Sequence, residues 1–273
     1  MEKVKLKMKK ILKIPKNNEE KQESIDEKNN QVIAVWGSPG SGKTTLAVKL
    51  AKEISSKKKN VILLHDDIFC PTVPIVIPNL EDSNKSLGKI LTSPNIDQGI
   101  ILNNSITIKN NDYIAVIGYQ KGENPLTYSE YVKERTVDLF ILLRHIADYI
   151  IIDCSSIITE SLLTITALEF ADKVIRLSTA DFKGLSYFKS TLPLLMDSKF
   201  KIEEHLRVVS NIKDFQAGET INDVLRGSNI YIPYTTEVER QYTEGKLFDS
   251  LKNKASLKYI KGVELILEEV LYG

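Results

Sequence analysis

At 273 residues, with 37 basic against 36 acidic side chains, the chain has no global field to draw it to nucleic acid or to an anionic surface. Its apolar fraction of 42% is that of a globular protein, no apolar stretch is long enough to span a bilayer, and no secretory signal opens the sequence. Two cysteines, Cys70 and Cys154, read as reduced thiols in a cytoplasmic protein, and His65, His145 and His205 are too scattered for a metal-ligand motif.

Residues 1–16 carry seven lysines among Val4, Leu6, Met8, Ile11, Leu12 and Ile14. Val4, Met8, Ile11 and Leu12 share one helical face. Such a segment suits an anionic membrane or a protein partner, and a solvated arm is the alternative. DNA would attract the same lysines but does not need the apolar residues, so it is not favoured. Residues 17–30 are polar and read as a linker. The chain therefore divides into a basic arm with its linker over 1–30 and one α/β domain over 31–273.

Val32 to Trp36 is an apolar run that predicts a buried strand. Gly37-Ser38-Pro39-Gly40-Ser41-Gly42-Lys43-Thr44 follows and fits G-x-x-x-x-G-K-[ST] at every fixed position. Leu46, Ala47, Leu50, Ala51 and Ile54 then recur at helical spacing. Strand, glycine loop and helix thus stand in the order a phosphate-binding loop needs. Glycines let backbone N–H groups approach an anion at the positive end of the next helix. Lys43 supplies charge to the β- and γ-phosphates, and Thr44 offers a hydroxyl to Mg²⁺.

Val61 to Leu64 predicts a second strand, ending at His65-Asp66-Asp67, where acids are candidates for Mg²⁺ or the attacking water. Residues 71–112, punctuated by prolines, read as loops and small helices over the nucleotide edge, with a short helix at 87–91 and a short strand at 106–108. Further strands are expected at 113–118, 149–152, 172–177, 206–209 and 230–232. Helices are expected at 128–146, 159–170, 182–195, 219–226, 238–246 and 257–271. Asp153 closes the fourth strand in the Walker B manner. The alternation predicts an α/β fold, a mainly parallel central sheet with helices on both faces.

Several blocks, in order, resemble the ParA/MinD ATPases of the SIMIBI class of P-loop NTPases, including the pilus-assembly branch called CpaE or TadZ. They are VIAVWGSPGSGKTTLAVKLA, VILLHDD, DYIIIDCSS, EFADKVIRLSTAD, RVVSNIKD and IYIPYTTEVERQYTEGKLF. The resemblance covers roughly residues 31–270. It implies an ATPase with ATP and Mg²⁺ as cofactors, in which Gly37 to Thr45 (Gly37, Ser38, Pro39, Gly40, Ser41, Gly42, Lys43, Thr44 and Thr45) hold the phosphates. Asp67 matches the second Asp of Asp-x-Asp and orients water, Asp153 supports Mg²⁺, Asn211 reads adenine and Pro233 packs beside the base. Lys43, Asp67 and Asp153 are the catalytic candidates, and Thr44, Asp67 and Asp153 the metal candidates. The resemblance further implies a homodimer and a protein partner in a larger assembly that positions a pilus, secretion, plasmid or division cargo, in the cytoplasm or peripherally at the membrane.

The chain departs from that family at three places. Ser38 stands where the signature lysine would be, His65 where the first Asp would be, and Cys154-Ser155-Ser156 follows Asp153 without a nearby glycine. A slowly hydrolysing nucleotide-binding scaffold is therefore a competing reading. The Asn211–Asp214 spacing leaves a GTPase as another, and a small-metabolite kinase as a weaker one.

Overall fold

The computed structural model describes residues 30–78, 80, 84–216, 227 and 230–272. The arm and linker over 1–29 and the helix expected over 219–226 lie outside the described residues.

The described strands are β1 (Gln31–Gly37), β2 (Val61–Asp66), β3 (Ile106–Ile108), β4 (Asn111–Gly118), β5 (Tyr149–Cys154), β6 (Lys173–Thr179), β7 (Leu206–Ile212) and β8 (Ile230–Pro233). They form one sheet in the order β3-β4-β2-β5-β1-β6-β7-β8. Every pairing is parallel except the antiparallel β3–β4 edge. Helices α1 (Lys43–Ser56), α2 (Val73–Val76), α3 (Leu87–Leu91), α4 (Gln98–Asn103), α5 (Lys133–Arg144), α6 (Leu162–Phe170), α7 (Phe182–Thr191), α8 (Thr236–Thr243) and α9 (Leu257–Tyr272) connect them.

Strand alternation sorts the core into two layers. Val32, Ala34 and Trp36 of β1 join Ile62 and Leu64 of β2 and the apolar residues of α3 to α7. Ile33 and Val35 join Val61 and Leu63 beneath α1, α2 and α9. The same alternation continues into the polar ends of β2 and β5. It turns His65 and Asp153 toward the layer of α1, and Asp66 and Cys154 toward the opposite one.

Several expected boundaries move. The stretch 71–112 does not all lie over the nucleotide edge. Its α2 packs near α8, whereas α3 and α4 enter the opposite core layer with α5. The helix expected from Tyr128 begins at Lys133, because Tyr128 and Tyr131 pack from an irregular segment rather than from a helical face. The helix expected from Thr159 starts at Leu162, after a 3₁₀ turn, where the Ser161 hydroxyl accepts from Thr164 N at 3.0 Å. The 182–195 helix, expected to be helical up to about Pro193, ends at Thr191 and passes into a 3₁₀ turn over Leu192–Leu195 that contains that proline. The helix expected at 238–246 runs Thr236–Thr243, because Thr235 caps it. The strands expected to end at Leu64 and Ile152 run on to Asp66 and Cys154.

Lys49 of α1 is buried. Its Nζ donates to Gln241 Oε1 and Leu247 O at 2.6 Å and to Asp249 O at 3.0 Å, and burial brings its ammonium down to about 8. It ties α1 to the segment that follows α8.

Candidate functional site

The glycine loop is bound on both sides by strand ends. Gly37 sits against β6 so closely that a Cβ there would lie 2.0 Å from Leu177 O. Ser38 N donates to that carbonyl at 3.0 Å. Ser210, at the end of β7, donates its hydroxyl to Ser41 O at 2.5 Å. Gly40 and Gly42 take positive φ of 77° and 84°, which starts α1 with its N–H groups open to the loop.

Ser38 is fully buried and turned inward. Its hydroxyl accepts from Thr179 N at 3.1 Å. The side chain at this position thus closes the loop onto β6 and does not project from the surface.

Thr44, Asp153 and His65 meet beneath the loop. Thr44 Oγ1 donates to Asp153 Oδ2 at 2.7 Å, and His65 Nδ1 lies 2.8 Å from the same oxygen. A carboxylate oxygen only accepts, so Nδ1 carries the proton. The His65–Asp153 pair follows from register, since the two residues are partners across β2 and β5. His65 Nε2 is buried and has no hydrogen-bond partner among the described residues.

Lys43 Nζ donates to Ser156 Oγ at 2.5 Å, and Ser156 Oγ lies 3.2 Å from Gly37 O. Burial lowers the Lys43 ammonium below its ordinary range, and Asp153 and Asp67 oppose that shift. Asp67 is half-buried, and its Oδ1 accepts from Phe69 N at 3.1 Å and Cys70 N at 2.9 Å. Burial raises its carboxyl, the two backbone donors and Lys43 lower it, and Asp153 adds to the rise.

A cavity of about 390 Å³ opens from this loop toward β7 and β8. Gly40 to Thr45 line one end, and Asn211, Lys213, Pro233 and Tyr234 line the other. Asn211 adopts a left-handed φ of 57° at the end of β7, and its Nδ2 lies 3.4 Å from Gly40 O. Of the expected phosphate residues, Gly40 to Thr45 share one cavity with Asn211 and Pro233, whereas Gly37, Ser38, Pro39 and Asp214 are not among its lining residues. Asp67 and Asp153 stand at the β2 and β5 ends, outside that lining.

Sequence reading missed Tyr242, Tyr234, Ser210 and Ser156. Tyr242 and Tyr234 line the cavity, and Lys213 Nζ lies 5.7 Å from the Tyr234 ring centroid. Nothing in a linear motif marks them. His65 appeared in the sequence only as a departure.

Among the described residues no group of three or more His, Cys, Asp or Glu could hold a metal alone. That fits Mg²⁺, which takes one or two protein oxygens and fills its octahedron with water and phosphate. The Thr44 hydroxyl and the buried Asp153 carboxylate would supply such oxygens beside the phosphate loop. No helix of the described residues is long and apolar enough to cross a membrane.

The family model described as AAA domain matches residues 30–208. A search of curated proteins finds no match. Among solved structures, the ParA family ATPase from Chlorobium tepidum TLS is 17% identical, over 89% of this chain and 98% of that one, with a TM-score of 0.69. The septum site-determining protein MinD from Pyrococcus horikoshii OT3, complexed with Mg-ADP, is 17% identical over 89% and 96%, with a TM-score of 0.64. A putative plasmid partition protein from Borrelia burgdorferi B31, bound to AMPPNP, is 18% identical over 88% and 99%, with a TM-score of 0.63. At such identities the likeness establishes the fold, and the family match covers more than half of the sequence. The chain belongs to the AAA-domain family and has the fold of the ParA/MinD P-loop ATPases.

Proposed function

We propose that the protein binds Mg-ATP and hydrolyses it slowly, and that nucleotide-dependent association lets it position or assemble a cellular cargo. One observation carries the nucleotide reading. Lys43 and Thr44 on the loop, and Asn211 and Pro233 on β7 and β8, line the same cavity at opposite ends. The Mg-ADP and AMPPNP of the similar structures support the choice of ligand. A nucleotide with its phosphates on the loop N–H groups would draw Lys43 from Ser156 toward the β- and γ-oxygens. Its Mg²⁺ would be held by Thr44 and supported by Asp153. Phosphoryl transfer to water then rests on positioning and charge neutralisation. In this reading Asp67 acts on the water and Asp153 on the metal.

The slow rate rests on Ser38. In P-loop enzymes a cation supplied in trans to the γ-phosphate accelerates hydrolysis by about 10³–10⁵. A buried serine cannot supply one, which equally supports a scaffold that binds nucleotide and releases it largely intact. A GTPase is disfavoured because Asp214 does not reach the cavity. The cargo proposal, whether pilus, secretion, plasmid or division machinery, draws on the ParA family and on the MinD and partition proteins that share the fold. Residues 1–16 would bring an anionic membrane or a protein partner. Co-sedimentation with anionic and neutral vesicles, before and after removal of those residues, tests that attachment.

Calorimetry of ATP and GTP binding tests the central reading. ATP should bind more tightly. Lys43→Ala should weaken it roughly ten- to a hundred-fold, the worth of one charge-assisted contact. Unchanged ATP affinity in that variant would remove the site.

A further inference from the structure

A second cavity, of about 360 Å³, lies on the opposite face of the sheet. The end of β2, the irregular 125–131 segment and the turn before α6 enclose it. The nucleotide reading gives it no role.

Its floor is Asp66. This carboxylate is 3% exposed, and its Oδ2 accepts from Thr164 Oγ1 at 2.7 Å and from the Ser161 hydroxyl. Asp66 has no ion pair among the described residues. The cavity walls carry Phe69, Tyr119, Tyr128 and Tyr131. The remaining charged lining residues are Glu130 and Glu160, and no lysine or arginine is among them. A buried carboxylate whose partners are two hydroxyls and the Thr164 N–H, at the end of an aromatic-walled recess, lacks the cation that normally accompanies a buried charge. Aromatic faces favour a cation between them, and an aliphatic stalk suits the apolar walls.

We propose that this cavity binds one ammonium or guanidinium group on an aliphatic stalk, with Asp66 as its counter-ion. That chemistry is found in the lysine or arginine side chain of a partner protein and in free polyamines.

The cavity shares two loops with the phosphate site. Thr164 Oγ1 links Asp66 to Ser155 N, which donates to it at 2.9 Å, and the next residue, Ser156, holds Lys43. Asp67 follows Asp66 directly. A cation on Asp66 thus acts one residue away from two groups of the nucleotide site. This coupling, unlike the cavity itself, rests on the nucleotide reading.

The test titrates the full-length protein, without nucleotide, with agmatine, putrescine and acetyl-Gly-Arg-Gly-amide, by calorimetry and by ligand-observed NMR. The expected result is saturable binding in the millimolar range or tighter, weakened at least ten-fold by Asp66→Asn. That substitution keeps an acceptor for both hydroxyls and removes the charge. Leu162→Trp, at a half-exposed lining residue, fills the mouth and should block binding while leaving Asp66 intact, so the test survives if the first variant unfolds. Tighter binding of the peptide identifies a protein source, and tighter binding of putrescine or agmatine a free amine. Absence of saturable binding, or binding unaffected by either folded variant, overturns the site. ADP affinity is then measured with and without saturating probe, and no change overturns the coupling alone.

Discussion

His65 and Asp153 face each other at one register step of β2 and β5, with His65 Nδ1 2.8 Å from Asp153 Oδ2. Thr44 Oγ1 donates to the same oxygen at 2.7 Å. Two donors on one carboxylate oxygen fix its rotamer, and in the proposed site the other oxygen would serve a metal-bound water. In the proposed Mg²⁺ site His65 would be a positioning residue, standing where the resembled pattern has an acid.

Partners of this kind are worth about ten- to a hundred-fold in metal affinity. His65→Ala should therefore weaken Mn²⁺ binding in the presence of ADP by roughly ten-fold, read by electron paramagnetic resonance. His65→Asn places an N–H near Nδ1 and should restore most of it. Equal Mn²⁺ affinity in wild type and His65→Ala would leave the histidine a core residue only.

Much of this was legible in the sequence, for a physical reason. The glycine loop is specified by local geometry, and buried parallel strands announce themselves as apolar runs such as Val32 to Trp36. The orientation of His65, Asp66 and Asp67 was also latent in the period of two, because Leu64 must face the core layer that Asp66 then faces. What a linear reading cannot supply is long-range closure. Ser210 on Ser41, Ser156 on Lys43 and Lys49 on Leu247 join residues far apart in sequence. Tyr128 and Tyr131 have helical spacing but pack from a loop, so pattern alone misplaces the start of α5.

Ser38 makes a second prediction. A lysine in its place loses the bond from Thr179 N and must bring an ammonium into a fully buried position. Ser38→Lys should destabilise the fold by about 2 kcal/mol or more in denaturant unfolding. It should not create an ATP-dependent dimer in ultracentrifugation with a non-hydrolysable analogue. Wild-type stability with strong dimerisation would show that the loop can turn this side chain outward.

Asp67 separates binding from turnover. Its carboxylate is held by Phe69 N and Cys70 N rather than by the phosphate loop. Asp67→Ala should accordingly leave ATP affinity within about two-fold and lower single-turnover hydrolysis at least ten-fold, trapping bound ATP. Wild-type turnover in this variant would take the water-orienting role away from Asp67.

Asp66 gives a pH-dependent prediction. Burial pushes its carboxyl up from 3.8 to about 7, against the pull of its Ser161 and Thr164 hydroxyl partners. Between those values the folded state holds a proton that the unfolded state has released. Stability contributed by the neutral acid is therefore present at low pH and is lost as pH rises from about 4 to about 7. Full ionisation costs on the order of 4 kcal/mol by the linkage relation. Asp66→Asn cannot ionise and still accepts from both hydroxyls. It should match the wild type near pH 4 and exceed it by a few kcal/mol at pH 8 in urea unfolding. The gain should shrink when a saturating guanidinium probe is present, because a bound cation stabilises the wild-type carboxylate and has no counter-ion in the variant. A stability difference that does not change between pH 4 and pH 8 would mean that Asp66 is ionised in the folded protein throughout, with a cationic partner already in place.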